Sequence, residues 1–167
     1  MNGGNLDIST PRGQQTLADE LIAIEMFEAQ CPGFHYIKTK KDRIAIVDGV
    51  VERNRFTVGL VETKCRYGFN LQHFETTWQS KWLVTYDKIE GGRRLADYLM
   101  IPYWGFLYIV DDKVLLTKKL YDPEAGGWQT SFEVLKTPTQ RSCNGGEALR
   151  DNAYIDMRGA TVIRSAA

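Results

Sequence analysis

Two apolar runs joined by four polar residues constrain this chain more than any other feature. The runs are 43–51 (RIAIVDGVV) and 56–65 (FTVGLVETKC), and the polar stretch is 52–55. Runs rich in Val, Ile, Thr and Phe around a short polar turn predict an antiparallel hairpin. Strand side chains alternate between faces. In the second run, Val58, Leu60, Glu62 and Lys64 are therefore expected on one face, with Val61, Thr63 and Cys65 on the other. In the first run, Ile44, Ile46, Asp48 and Val50 share a face, and Asp48 interrupts an apolar pattern. Pairing the runs brings Asp48 near Glu62.

The rest of the chain supplies elements to pack on that hairpin. Segment 15–30 reads as a first helix, after a loose arm at 1–13, with Leu17, Leu21, Ile24, Phe27 and Cys31 at helical spacing. Pro32-Gly33 stops it. A short strand is expected at 34–39, irregular chain at 67–76 and an extended piece at 82–85. A second helix is expected at 87–99, with Ile89, Leu95, Tyr98 and Leu99 as its packing face, ended by Pro102. Further strands are expected at 103–110, 114–120, 128–136 and 154–163, with a loop at Asn144-Gly145-Gly146. The order predicts a mixed sheet flanked by helices in one α/β domain, 1–167, with its core at 14–120 and a C-terminal extension at 121–167.

Composition narrows the function classes. The 167 residues carry 21 Lys or Arg against 21 Asp or Glu, so bulk attraction to a polyanion is not expected. The balance is local, however: 15–30 holds four acids and no Lys or Arg, whereas 38–66 holds eight Lys or Arg against four acids. The longest apolar runs, such as 101–110, are about half the ~20 residues of a membrane span. No signal peptide is visible, and the expected compartment is the cytoplasm. Three widely spaced cysteines (Cys31, Cys65, Cys143) and two isolated histidines (His35, His73) form neither a disulfide framework nor a zinc motif.

Chemistry concentrates on the hairpin. Two acids and a lysine at the edge of an apolar core are costly to bury without a partner or a purpose. Two close carboxylates suit a hard divalent cation such as Mg²⁺. A lysine beside them can position water or steady charge developing on a phosphate. Asp48, thirteen intervening residues, then Glu62-Thr63-Lys64 resembles the PD-(D/E)xK nuclease superfamily. That group includes restriction endonucleases, archaeal Holliday-junction resolvases and phage or RecB-type exonucleases. The resemblance runs over about 15–110, and Val47 stands where the family's name has proline. It implies a restriction-endonuclease-like αβββαβ core and a nuclease acting on DNA with Mg²⁺ or Mn²⁺, plausibly as a homodimer. By the same resemblance, Asp48, Glu62 and the Thr63 carbonyl are metal ligands and Lys64 is the catalytic lysine. A first-helix glutamate joins them in many members. Glu20, Glu25 and Glu28 are the candidates, and Glu20, on the apolar arc, is preferred. Gln79, Lys81 or Lys88 would serve as a further polar group, with Lys88 preferred for its place near a helix start.

Lys40, Lys41, Arg43, Arg66 and Lys88 are candidate nucleic-acid contacts around that site, and Arg93-Arg94 could extend the rim. Tyr67, Phe69, Phe74, Trp78 and Trp82 could stack on bases, though core packing explains them too. Asp111-Asp112-Lys113 also reads D-x-K, but between two apolar strands it is expected to be a turn. Two other readings remain open. One is a non-catalytic member of the fold that binds nucleic acid or protein. The other is an unrelated α/β domain whose triad is only a cross-strand salt bridge.

Overall fold

The computed structural model describes residues 10–40, 45–140 and 147–165. Helix α1 (Pro11–Gln30) leads into three strands, β1 (Phe34–Lys38), β2 (Gly49–Arg53) and β3 (Phe56–Arg66). Helix α2 (Leu71–Thr76), strand β4 (Lys81–Thr85) and helix α3 (Tyr86–Leu99) follow. The chain continues through β5 (Tyr103–Ile109), β6 (Val114–Asp122), β7 (Gly127–Trp128), β8 (Phe132–Gln140), β9 (Glu147–Asp156) and β10 (Thr161–Arg164).

The central sheet has the order β1-β2-β3-β5-β6-β10, with β7 also on β6. β1, β2 and β3 form an antiparallel meander, and β5 lies parallel to β3 beyond the α3 crossover. A helix, a meander, a helix and a parallel strand are the αβββαβ order expected from sequence, and the sheet is mixed. β4, β9 and β8 make a second, antiparallel sheet, and β10 pairs with β6. The C-terminal third thus adds one edge to the central sheet and most of the second. The expected strand at 154–163 is two strands, β9 and β10, separated by a turn with Gly159 at φ 77°. The expected strand at 128–136 is divided between β7 and β8, and α2 occupies part of the stretch expected to be irregular. Asn144-Gly145-Gly146 lie outside the described residues.

Helix α1 begins at Pro11, four residues before the expected start. The Thr10 hydroxyl accepts from the Gly13 N–H at 3.0 Å, and Pro11 needs no donor partner in the first turn. Its inward face also differs from the expected one. Asp19, Glu20, Ala23, Met26 and Phe27 are buried, whereas Leu21 is 52% exposed. Ala23 explains the shift: it is fully buried, and a methyl side chain lets the helix come close to the sheet. A reading weighted toward large apolar residues passes over it. The same lesson applies to α3, where Ile89, Gly92 and Ala96 face inward and Tyr98 is 84% exposed.

Two cores result, one on each side of the central sheet. Ala23, Met26, Phe27, Tyr36, Val61 and Phe106 pack under α1. Leu60, Ile89, Ala96, Tyr103 and Leu107 pack under α3, joined by Trp82, Val84, Ala153 and Ile155 of the second sheet. The hairpin turn is Asn54-Arg55, both with positive φ (52° and 68°), the geometry that matches strand twist in a two-residue connection. Val51 pairs with Gly59 but Glu52 pairs with Thr57, so Val58 is a one-residue bulge. The bulge turns Val58 toward the α1 core, whereas Leu60 lies in the α3 core. The expected shared face of Val58 with Leu60, Glu62 and Lys64 is corrected accordingly.

Gly92 shows how closely α3 sits on the sheet. A Cβ there would fall 2.3–2.7 Å from ring atoms of Tyr103, which is fully buried. Gly92→Ala is therefore expected to lose about 1–3 kcal/mol to overpacking despite alanine's better helix propensity. Thermal unfolding should show a melting temperature several degrees lower. Tyr98→Ser, on the exposed face, should leave it nearly unchanged.

Candidate metal and phosphodiester site

Strand β3 carries the site through the middle of the central sheet. Its neighbours β2 and β5 pair with it at Val61 and Glu62, so Glu62 stands in the interior of the sheet and not at a frayed end. Glu62 has no exposed surface. By strand alternation it shares the Leu60 face, toward α3, and Thr63 shares the Val61 face, toward α1.

Asp48 is placed differently from expectation. Residues 46–48 form a bend ahead of β2, so Asp48 precedes the strand and is not part of its run. It is still locked between two strands. Its N–H donates to the Val61 carbonyl at 2.9 Å, and its carbonyl accepts from the Thr39 N–H at 3.0 Å and the Thr39 hydroxyl at 2.9 Å. The Asp48 Oδ2 accepts from the Thr63 N–H at 3.0 Å. This fixes the carboxylate over β3.

The Lys64 ammonium ties the cluster together. It lies 2.6 Å from Glu62 Oε1 and donates to Asp48 Oδ2 at 3.3 Å and to the Thr63 carbonyl at 3.3 Å. From α3, Lys88 donates to the Ala45 carbonyl at 2.9 Å and stands 3.8 Å from Asp48 Oδ1. Burial pulls the Lys64 ammonium down, but Glu62 and Asp48 outweigh it and hold the group above its usual value. Burial pushes the Glu62 carboxyl up, and Asp48 adds to that push. Lys64 and Lys88 oppose it without cancelling it.

The carboxylate is out of balance. Lys64 Nζ lies 2.6 Å from Glu62 Oε1, yet neither Glu62 oxygen has a hydrogen bond of good geometry among the described residues, and Oε2 faces no cation at all there. A buried carboxylate oxygen left in that state is costly. Asp48, Glu62 and the Thr63 carbonyl offer hard oxygen donors of the kind that Mg²⁺ and Mn²⁺ take. The donor set fits a divalent cation. Among the described residues no group of three His, Cys, Asp or Glu side chains is gathered for a metal, so the set consists of two side chains and a backbone oxygen.

The other sequence candidates fall in several places. Glu20 is buried on the α1 side and pairs with Lys38 at 2.7 Å. Glu28 accepts from the Tyr36 N–H at 2.7 Å, and Glu25 is exposed. Lys40 is exposed just after β1, and Lys41 and Arg43 lie outside the described residues. Arg66 is half-buried and donates to the Leu83 carbonyl at 2.9 Å, tying β3 to β4. Burial lowers its pKa. Arg93 pairs with Glu90 and Asp97, and Arg94 with Glu90, so both are engaged along the α3 surface. Gln79 is exposed with φ at 51°, and Lys81 is half-buried at the start of β4. Phe69, Phe74 and Trp82 are buried in the core, while Tyr67 and Trp78 are partly exposed.

The Asp111-Asp112-Lys113 turn is structural. Asp111 accepts from the Gly68 N–H at 3.1 Å and Asp112 from the Leu71 N–H at 2.7 Å. The buried Cys65 thiol is pushed up to about 12, chiefly by desolvation, which makes it a poor nucleophile. Two residues of the site had no sequence signal beyond membership of a short strand. They are Thr39, which grips the Asp48 backbone, and Tyr36, whose hydroxyl lies 2.8 Å from the Thr63 hydroxyl. Burial, and then the nearby Asp48, Glu20 and Glu62, raise the Tyr36 phenol well above its usual range, while its bond with Thr63 opposes them.

No protein-family model matches the chain, and no curated protein matches it. Among solved structures, the chain is similar to Hjc, a Holliday junction resolvase of Archaeoglobus fulgidus, an archaeal hyperthermophile. Identity is 14%, the likeness covers 68% of this chain and 83% of that chain, and the TM-score is 0.43. No helix among the described residues is long and apolar enough to cross a membrane.

The raised Glu62 carboxyl fixes a sign. A carboxyl whose folded pKa exceeds its unfolded value contributes stability below the unfolded value, near 4.5, and loses it as pH rises through the folded value. At pH 8 the metal-free Glu62→Gln protein is therefore expected to melt above the metal-free wild type. Addition of Mn²⁺ should raise the wild-type melting temperature through binding linkage. It should leave Glu62→Gln and Asp48→Ala nearly unmoved. The wild-type gain should shrink on acidification at a higher pH than an ordinary carboxylate pair would require, because protons compete for Glu62.

Proposed function

We propose that the protein is a metal-dependent nuclease that hydrolyses phosphodiester bonds in DNA. The observation that carries the reading is the Asp48–Glu62–Lys64 cluster, with its fully buried Glu62 and orphaned Oε2, held by backbone bonds at the centre of the sheet. A solvated cross-strand salt bridge would have no need of that burial.

In this reading Asp48, Glu62 and the Thr63 carbonyl hold Mg²⁺ or Mn²⁺. A cation held there would supply Lewis acidity toward a phosphodiester and its attacking water. The chain's own residues do the rest. Lys64, already raised in pKa and so fully charged, orients water and steadies charge on the phosphate. Lys88 anchors the bend at 45–48 against α3, so Asp48 keeps its aim. The Thr63 N–H holds Asp48 Oδ2, leaving Oδ1 turned toward Lys88. Glu20, paired with Lys38 on the α1 side, supports the site electrostatically. Lys40, Lys41 and Arg43 are proposed to meet the DNA backbone, while Arg66 is held by the Leu83 carbonyl, and a homodimer would present two such sites to two strands. The resemblance of Asp48 and Glu62-Thr63-Lys64 to the PD-(D/E)xK pattern supports this reading.

The test is direct. Purified protein is incubated with plasmid, linear duplex, single-stranded and branched DNA, with Mg²⁺ or Mn²⁺ and with EDTA. Cleavage of at least one substrate is expected only with metal. Lys64→Ala and Asp48→Ala should lower the rate by about 100-fold or more, in line with loss of a transition-state electrostatic contact. Metal-independent cleavage, or full activity in Lys64→Ala, would overturn the assignment. Tight DNA binding without cleavage would favour the non-catalytic alternative.

A further inference from the structure

The α1 side of β3 holds a second polar arrangement that the catalytic reading does not use. Tyr36 comes from β1, two strands away, and its side chain passes beneath β2. Its hydroxyl meets the Thr63 hydroxyl at 2.8 Å in a fully buried contact. Room for the ring exists only because residue 49 is glycine: a Cβ there would fall 2.3–2.6 Å from the ring and hydroxyl of Tyr36. Gly49 directly follows Asp48, and Thr63 lies between Glu62 and Lys64. One phenol therefore braces both chain segments of the site from behind.

We propose that Tyr36 is a positioning residue for the metal site, acting through Thr63. The inference rests on the proposed metal-dependent reading and adds to it the device that sets the ligand geometry. The Thr63 backbone touches both working side chains. Its N–H donates to Asp48 Oδ2 at 3.0 Å, and its carbonyl accepts from Lys64 at 3.3 Å. A threonine side chain has few χ1 choices, so pinning its hydroxyl also pins the backbone that carries it. Outer groups of this kind orient first ligands, and their loss commonly weakens metal affinity by about 10-fold or more. Tyr36 and Thr63 lie on the face opposite Glu62 and Lys64, so the brace takes up no space where substrate would bind.

Metal binding by calorimetry tests this without reference to activity. Tyr36→Phe keeps the ring beside Gly49 and removes only the hydroxyl. Its Mn²⁺ dissociation constant is expected to rise by about 10-fold. Thr63→Val should give a similar rise, and Thr63→Ser, which keeps the hydroxyl, should bind like the wild type. Tyr36→Phe with Thr63→Val should be no weaker than either alone, because both remove one interaction. Ile163→Val, in the same core but on β10, serves as the control for destabilisation alone. It should lower the melting temperature in EDTA and leave Mn²⁺ affinity unchanged. Wild-type Mn²⁺ affinity in Tyr36→Phe, or additive losses in the double variant, would overturn the positioning role. Wild-type protein that binds neither Mn²⁺ nor Mg²⁺ would overturn the metal-dependent reading as well. The two failures are thus distinguishable.

Discussion

A carboxylate with no exposure to water governs this structure. Glu62 pairs with Gly105 of β5, one residue beyond the last β2 pair at Gly49–Val61, with apolar cores above and below the sheet. An ion in that position needs counter-charge and donors at short range, or it must hold its proton. Lys64 supplies the counter-charge from two residues along the same face. Lys64, Lys88 and the Thr63 N–H in turn meet the Asp48 carboxylate. Each partner has its own requirement. Lys88 depends on the first turn of α3, and α3 reaches the sheet because Gly92 lets Tyr103 beneath it. The Thr63 N–H depends on the register of β3, which the Val58 bulge adjusts without disturbing the pairs at residues 59–61.

That dependence explains which parts of the site were legible in the sequence. Glu62 and Lys64 are two residues apart on one strand, so the period of two alone predicts their shared face. Asp48 follows from a hairpin whose turn is short and polar. Tyr36 and Thr39 also touch the cluster, yet they arrive from β1 and the residue after it through side chains that reach Thr63 and the Asp48 backbone. No local pattern announces a tyrosine that passes under a neighbouring strand. Gly49 is the only trace, and a lone glycine after an aspartate reads as a turn. Arg66 fails in the other direction. Its position beside the motif suggests a nucleic-acid contact, but its guanidinium reaches β4, an element fixed by pairing with β9 some 70 residues later.

The fold shows the same division. Alternating and helical periods located α1, α3, β1 and β3 to β6 to within a few residues, whereas β2 begins only at Gly49, after a bend at 46–48 where strand was expected. They did not separate β9 from β10, because strand propensity runs through both and only pairing with β4 and β6 tells them apart. They placed Phe27 and Ile89 correctly on the inward faces of the long helices but also put the exposed Leu21, Tyr98 and Leu99 there. In each case a small residue, Ala23 or Gly92, marks the line of closest approach. Size-weighted hydrophobicity passes over these small residues and counts exposed Leu21 and Tyr98 toward the inward face instead.

The charge pattern takes on a different meaning once the contacts are known. The acidic helix and the basic hairpin are not two independent surfaces. Lys38 is paired with buried Glu20, and Lys64 and Lys88 stand against Glu62 and Asp48. Arg66 is tied to a backbone carbonyl, and Arg93 and Arg94 to acids on their own helix. Of the eight Lys or Arg counted along 38–66, Lys38, Lys64 and Arg66 are therefore already engaged within the fold. Affinity for a phosphate backbone scales with the cations that can still neutralise phosphates. In this chain that number is smaller than the sequence count. With 21 Lys or Arg against 21 Asp or Glu, the chain has no surplus of positive charge for bulk attraction to a polyanion.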